Sequence, residues 1–127
     1  MLITEYFQRI ESQIADCIHI VESSLLKDKR SLHLGIIEGE LLFADESVLH
    51  FIEFVNVKGS TEVYKYSYHY QDLNGDLIFR YDMAPHHREM QTFPHHKHTL
   101  SNIVTEASCP TLAQVLDEID DMIGQLS

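Results

Sequence analysis

Five of the nine histidines fall within thirteen residues, as the pairs His86-His87 and His95-His96 and then His98, with Lys97 between the last two. Histidine titrates near neutral pH, so one imidazole can take a proton while another gives one. Arg80 and Asp82 stand just upstream and Arg88 lies inside the cluster. This mixture suits chemistry on a phosphodiester. One ring deprotonates a ribose 2′-hydroxyl, another protonates the leaving oxygen, and Arg80 and Lys97 stabilise the negative charge that develops on the phosphoryl oxygens. Two other readings compete. His96 and His98, alone or with Asp82, are of the type that binds zinc, iron or manganese, although no fixed motif such as HExxH sets their spacing. Paired histidines in a loop can also be structural, hydrogen-bonding the backbone around them.

The elements that must position these residues begin with a hairpin. Asn74-Gly75 sits between the strand-like runs Val63–Asp72 and Leu77–Asp82, and Asn-Gly suits the positive φ angles of a tight turn. A two-residue loop, or a four-residue loop with the same centre, sets Tyr70 opposite Phe79, His69 opposite Arg80 and Tyr68 opposite Tyr81. One face then carries Tyr64, Tyr66, Tyr68, Tyr70, Leu77, Phe79 and Tyr81. The other carries Lys65, Ser67, His69, Gln71, Ile78, Arg80 and Asp82. The tyrosine stripe reads first as core packing with hydroxyls reaching the rim, and second as a base-stacking platform. The polar face reads equally as a solvated surface or as a site. Pro85 and Pro94 make a helix through the histidine segment unfavourable, so those side chains are expected on a loop and a short strand.

Around the hairpin, Ile3, Phe7, Ile10 and Ile14 recur at helical spacing, with Thr4 or a residue before it as cap. The period runs on through Cys17, Val21 and Leu25, yet Cys17–Val21 also alternates like a strand; a helix to about Ile14 followed by a strand is the expectation. Period-two patterns at Leu32–Ile36, Glu38–Phe43 and Val48–Phe54 predict further antiparallel strands. Leu112, Val115, Leu116, Ile119, Met122 and Ile123 trace one face of a closing helix, with Thr111 and Gln114 as a capping box. The fold class is therefore α+β: an antiparallel meander of about five to six strands with N- and C-terminal helices on one face, leaving the other face for a ligand.

With 127 residues, 44% hydrophobic and 23% charged, the chain is expected to form a single domain spanning 1–127. No apolar run approaches a membrane-spanning length and no secretory signal is visible, so a cytoplasmic protein with no membrane partner is expected. Cys17 and Cys109 have no CxxC spacing and read as free thiols. The net charge of −11 argues against a general nucleic-acid-binding surface. Between Val63 and His98, however, four basic residues balance four acidic ones, with six histidines added, so the surplus negative charge lies elsewhere. That pattern suits a small local anionic substrate.

Tyr68-His69-Tyr70-Gln71, Leu77-Ile78-Phe79-Arg80-Tyr81-Asp82, Ala84-Pro85-His86-His87 and Phe93-Pro94-His95-His96-Lys97-His98 together resemble the TumE family, toxins of bacterial type II toxin–antitoxin systems. The likeness reaches upstream to Gly39-Glu40-Leu41 and Val48–Phe54, covering most of the chain. Two departures are Met83, where asparagine is expected, and Glu46-Ser47, where Gly-Ser is expected; neither removes a candidate acid, base or phosphate binder. The resemblance implies a small cytoplasmic toxin acting on RNA, free or as ribosome-bound mRNA, and held inactive by a cognate antitoxin protein; a homodimer is compatible with it. It carries no residue-by-residue mechanism. The candidate catalytic residues, placed by physical inference, are His69, Arg80, Asp82, His86, His87, His95, His96, Lys97 and His98. Lys65, Tyr81 and Arg88 are candidate substrate binders, and no cofactor is expected. A metal-dependent hydrolase or oxygenase and a non-enzymatic interaction module are the alternatives.

Overall fold

Ile3, Tyr6, Phe7, Ile10 and Ile14 form the buried stripe of helix α1 (Ile3–Asp16), whose other positions are polar. Its N-cap is Leu2, which has no side-chain acceptor, and Glu5 compensates by accepting from the Leu2 amide at 2.9 Å. The helix stops two residues beyond Ile14 and, after a turn through Cys17–His19, the expected strand follows as β1 (Ile20–Lys29), three residues later than the alternation from Cys17 suggested. Val21, which continued the helical period, is 62% exposed. Strands β2 (Leu34–Phe43), β3 (Val48–Asn56), β4 (Glu62–Gln71), β5 (Leu77–Met83), β6 (His95–Thr99) and β7 (Val104–Glu106) lead to helix α2 (Leu112–Gln125). These elements come from a computed structural model that describes residues 1–83, 95–99, 104–106 and 110–125.

The seven strands among the described residues form one antiparallel sheet in sequence order, the expected meander extended by the three-residue β7. The two apolar runs at Leu32–Ile36 and Glu38–Phe43 are one strand, β2, because Ile37 is buried on the same face as Leu41 and Phe43 and no turn separates the runs. Gly39 at its centre lets Phe51 and Leu25 close over the backbone; a Cβ there would lie 2.7 Å from Leu25 Cδ2 and closer still to the Phe51 ring.

Both helices lie on one face. Ile37, Leu41, Phe43, Leu49, Phe51, Val55, Tyr66, Tyr68, Tyr70 and Phe79 from the sheet share a buried cluster with the α1 stripe and with Leu112, Val115, Leu116 and Ile119 of α2. Burial of each such large side chain contributes about 1.5–3 kcal/mol, which is what holds the helices down. Most of the tyrosine stripe is thus core: Tyr70 lies 5.2 Å from Phe79 and Tyr66 lies 5.4 Å from Tyr68, centroid to centroid. Helix α2 starts with the anticipated capping box, Gln114 N donating to Thr111 Oγ1 at 3.2 Å and Thr111 N to Gln114 Oε1 at 2.9 Å.

The turns carry two local surprises. In the β4–β5 hairpin, Leu73-Asn74-Gly75 loops between Asp72 and Asp76, whose backbones pair at 2.9 Å, and Gly75 alone takes a left-handed φ of 85°. A three-residue loop shifts the pairing by one, and a bulge beside Tyr70 restores it, so His69 still faces Arg80 and Tyr68 still faces Tyr81. In the β2–β3 turn, Glu46 holds a φ of 69°, a left-handed conformation that a glycine would occupy without steric cost. Among the described residues no helix is long and apolar enough to cross a membrane.

Candidate active site

Strand alternation that buries one face leaves the other with Glu38, Glu40, His50, Ile52, Phe54, Lys65, Ser67, His69, Arg80, Asp82 and His98, and no described element covers it. Register fixes how these residues meet. His50 is directly opposite His69, His69 opposite Arg80, and Arg80 opposite His98, giving one row across four strands. Adjacent strands lie about 4.8 Å apart, so His69 and His98 flank Arg80 at about 10 Å from each other at the backbone. The next row runs Ile52, Ser67, Asp82 and His96.

Asp82 ties the rows together. It is 7% exposed, unusual for a carboxylate, and lies in reach of two basic side chains. Arg80 Nε donates to Asp82 Oδ2 at 2.9 Å, and His98 Nε2 lies 3.4 Å from Asp82 Oδ1, an ion pair when that ring is protonated. His69 has the opposite bias: burial, then the Arg80 charge and the neighbouring His50 hold its imidazole below the usual histidine range, against a hydrogen bond to Gln71 that raises it. One arginine therefore stands between an imidazole biased toward its neutral form and an imidazole paired with a carboxylate. His50 itself bonds Glu38 through Nε2 at 2.9 Å. Beside Arg80 and His98 a depression of about 300 Å³ opens, lined by Ile52, Phe54, Lys65, Tyr66, Ser67, Asp82 and Met83.

The sequence-predicted residues divide as follows. His69, Arg80, Asp82, His98 and Lys65 share the open face. Tyr81 and Lys97 lie on the helix-covered face, one residue out of phase. There Glu118 of α2 accepts from Tyr81 Oη at 2.7 Å and from Lys97 Nζ at 3.0 Å, while Nζ sits 4.8 Å from the Tyr81 ring centroid. Burial lowers the Lys97 ammonium, but the hydrogen bonds to Tyr81 and Glu118 and the Glu118 charge outweigh it and raise it above its ordinary value. The same packing pushes the Tyr81 phenol up, burial first and Glu118 after it, against the Lys97 contact. Backbone register puts His96 opposite Asp82 and His95 opposite Met83. His86, His87 and Arg88 lie outside the described residues. Among the described side chains no three histidines, cysteines or carboxylates come together in a way that could hold a metal ion.

Sequence reasoning passed over His50, Ile52 and Phe54, which reach the site from β3 through its register with β4. It also passed over Glu53. That residue falls on the buried phase of β3 between Phe51 and Val55, a signal available from the alternation, and it is 1% exposed with the hydroxyls of Tyr6 and Tyr68 hydrogen-bonded to its carboxyl. Burial pushes Glu53 up, against the two tyrosines.

Comparison with known proteins adds one result. Residues 10–126 match the family described as Toxin TumE. No curated protein and no solved structure matches significantly. With nearly its whole length matched, this chain belongs to the TumE toxin family.

Proposed function

We propose that this toxin cleaves RNA by transfer of the phosphoryl group to the neighbouring 2′-hydroxyl. His69, held neutral, takes the 2′-hydroxyl proton as the oxygen attacks phosphorus. Arg80 binds the phosphoryl oxygens, where charge develops. His98, protonated beside Asp82, gives its proton to the 5′-oxygen as the P–O5′ bond breaks, leaving a 2′,3′-cyclic phosphate and a free 5′-hydroxyl. The observation that supports this reading is the row itself, with a low-lying imidazole and a carboxylate-paired imidazole on opposite sides of one guanidinium. His86, His87, His95, His96 and Arg88 extend the cationic end of the same segment and are proposed to hold the flanking backbone.

The acidic body of the protein disfavours tight binding to free RNA, so RNA presented on the ribosome is the substrate most consistent with the charge distribution. A cognate antitoxin is the proposed partner in the cytoplasm. Expression in bacteria at matched soluble levels tests the reading. Wild type is expected to arrest growth while Arg80→Gln and His98→Ala do not; equal harmlessness of all three, or equal toxicity, contradicts it.

A second reading draws on the same corner, since Asp82, His98 and the register position of His96 resemble two histidines and one carboxylate. Metal analysis of protein purified without a histidine tag separates the two: stoichiometric metal whose chelation abolishes activity favours metal-dependent hydrolysis.

A further inference from the structure

Most of the tyrosine stripe is core and closed to bases, yet the open face has its own aromatic pair. A bulge in the β3–β4 pairing beside Phe54 makes Tyr64 the extra residue and turns it out of the stripe, 44% exposed, with its ring edge-on to Phe54 at 6.1 Å. Lys65 Nζ sits 5.1 Å from the Phe54 centroid. Phe54, Ile52 and Met83 give the depression beside Arg80 an apolar lining, while Lys65 and Ser67 give it polar edges. Apolar side chains half-exposed within a charged sheet face form a lined pocket, and about 300 Å³ is the lower end of the range for small-ligand sites.

We propose that this depression is a nucleobase subsite, which takes the base of one nucleotide bordering the phosphate held at Arg80. The assignment rests on the phosphodiester reading above and names part of its substrate. Ile52 and Phe54 lie two and four residues along the strand from the Arg80 row, about 7 and 14 Å at 3.4 Å per residue, so a nucleoside extending along the strand from a phosphate at Arg80 passes Ile52 and brings its base towards Phe54. The base stacks against Phe54 with Tyr64 at its rim. Lys65 and Ser67 meet its edge, so bases that present acceptors to an ammonium, guanine above all with its N7 and O6, are favoured.

The chain contains no tryptophan, so Phe54→Trp supplies a single fluorophore at the subsite. Nucleoside 5′-monophosphates, ribose 5-phosphate and inorganic phosphate are the probes, with binding read by fluorescence for Phe54→Trp and by calorimetry for wild type and Phe54→Ala. Nucleotides are expected to quench Phe54→Trp emission while ribose 5-phosphate does not. Phe54→Ala is expected to weaken nucleotide binding about tenfold or more, in line with the loss of one stacked base, and to leave inorganic phosphate binding unchanged. Equal affinity for nucleotides and ribose 5-phosphate, or equal weakening of all probes by Phe54→Ala, overturns the subsite. Base-dependent binding by a protein that leaves RNA uncut upholds the subsite and removes the cleavage reading. RNA cleavage with no dependence on the base or on Phe54 does the reverse.

Discussion

His98 Nε2 stands 3.4 Å from one oxygen of Asp82 whose other oxygen is held 2.9 Å from Arg80 Nε, so a single carboxylate orients both a cationic phosphate binder and an imidazole. Asp82→Asn keeps the shape and removes the charge. Cleavage is expected to fall by about tenfold to hundredfold, part of the range that a positioned acid supplies. The alkaline limb of the pH–rate profile is expected to move to lower pH, because an amide does not favour the imidazolium. A fall in rate with no change in the pH profile assigns Asp82 to folding alone.

His69 is biased the other way. A histidine whose folded value is lowered resists protonation in the folded state, so its contribution to stability is present above the ordinary value of about 6.5 and is lost as the pH falls through the folded one. Its ring protons, followed by NMR, are expected to titrate below 6.5. Arg80→Gln is expected to move the midpoint upward, with burial keeping it from full recovery. The acidic limb of cleavage should coincide with the His69 titration. A ring that titrates at or above the ordinary histidine value removes it as the base.

Glu53 gives a prediction about stability. A carboxyl raised by burial keeps its proton in the folded state where the unfolded chain has lost it, so folding is favoured at low pH and loses stability as the pH climbs from about 4.3 through the folded value. Glu53→Gln removes that dependence. Chemical unfolding is expected to show the variant at least as stable as wild type near pH 7, the advantage vanishing below pH about 4. Glu53→Ala, which strands the Tyr6 and Tyr68 hydroxyls, is expected to cost about 1–3 kcal/mol at any pH.

Lys97, placed among the catalytic candidates by sequence, faces Glu118 beneath helix α2. Its raised ammonium contributes stability below the ordinary lysine value of about 10.4, lost only as the pH rises through the folded value. Lys97→Met and Glu118→Gln are each expected to lower stability, and the double variant to be less destabilised than the sum by about 0.5–3 kcal/mol. Activity per folded molecule is expected to survive Lys97→Met. Lost cleavage at unchanged stability returns Lys97 to the catalytic set.

What the sequence disclosed depended on range. Local periodicity was enough for both helices and for the β4–β5 pairing from Tyr70 onward, though not for its three-residue loop or the bulge that compensates it, so the pairing of His69 with Arg80 was legible in the sequence. The phase of β6 was not. The resemblance to a histidine-rich motif groups His96, Lys97 and His98 by adjacency, whereas a strand sends neighbours to opposite faces, and only pairing with β5 shows that Lys97 joins Tyr81 while His98 joins Arg80. His50 and Phe54 were hidden for a related reason: the meander order was expected, but the register of β3 against β4, which sets His50 opposite His69 and Phe54 opposite Lys65, is not encoded in any local pattern. Tyr64 left the stripe because of a bulge, a one-residue insertion in pairing that alternation cannot register.

The most direct test is product analysis with purified protein, a short oligoribonucleotide at concentrations high enough to offset weak binding of free RNA, its analogue carrying 2′-deoxyribose at the scissile position, and excess chelator. The expected result is a 2′,3′-cyclic phosphate from the ribose substrate, an uncut deoxy analogue, and a loss of about a hundredfold or more for His69→Ala and His98→Ala alike. Cleavage of the deoxy analogue, or full activity without either imidazole, contradicts the account.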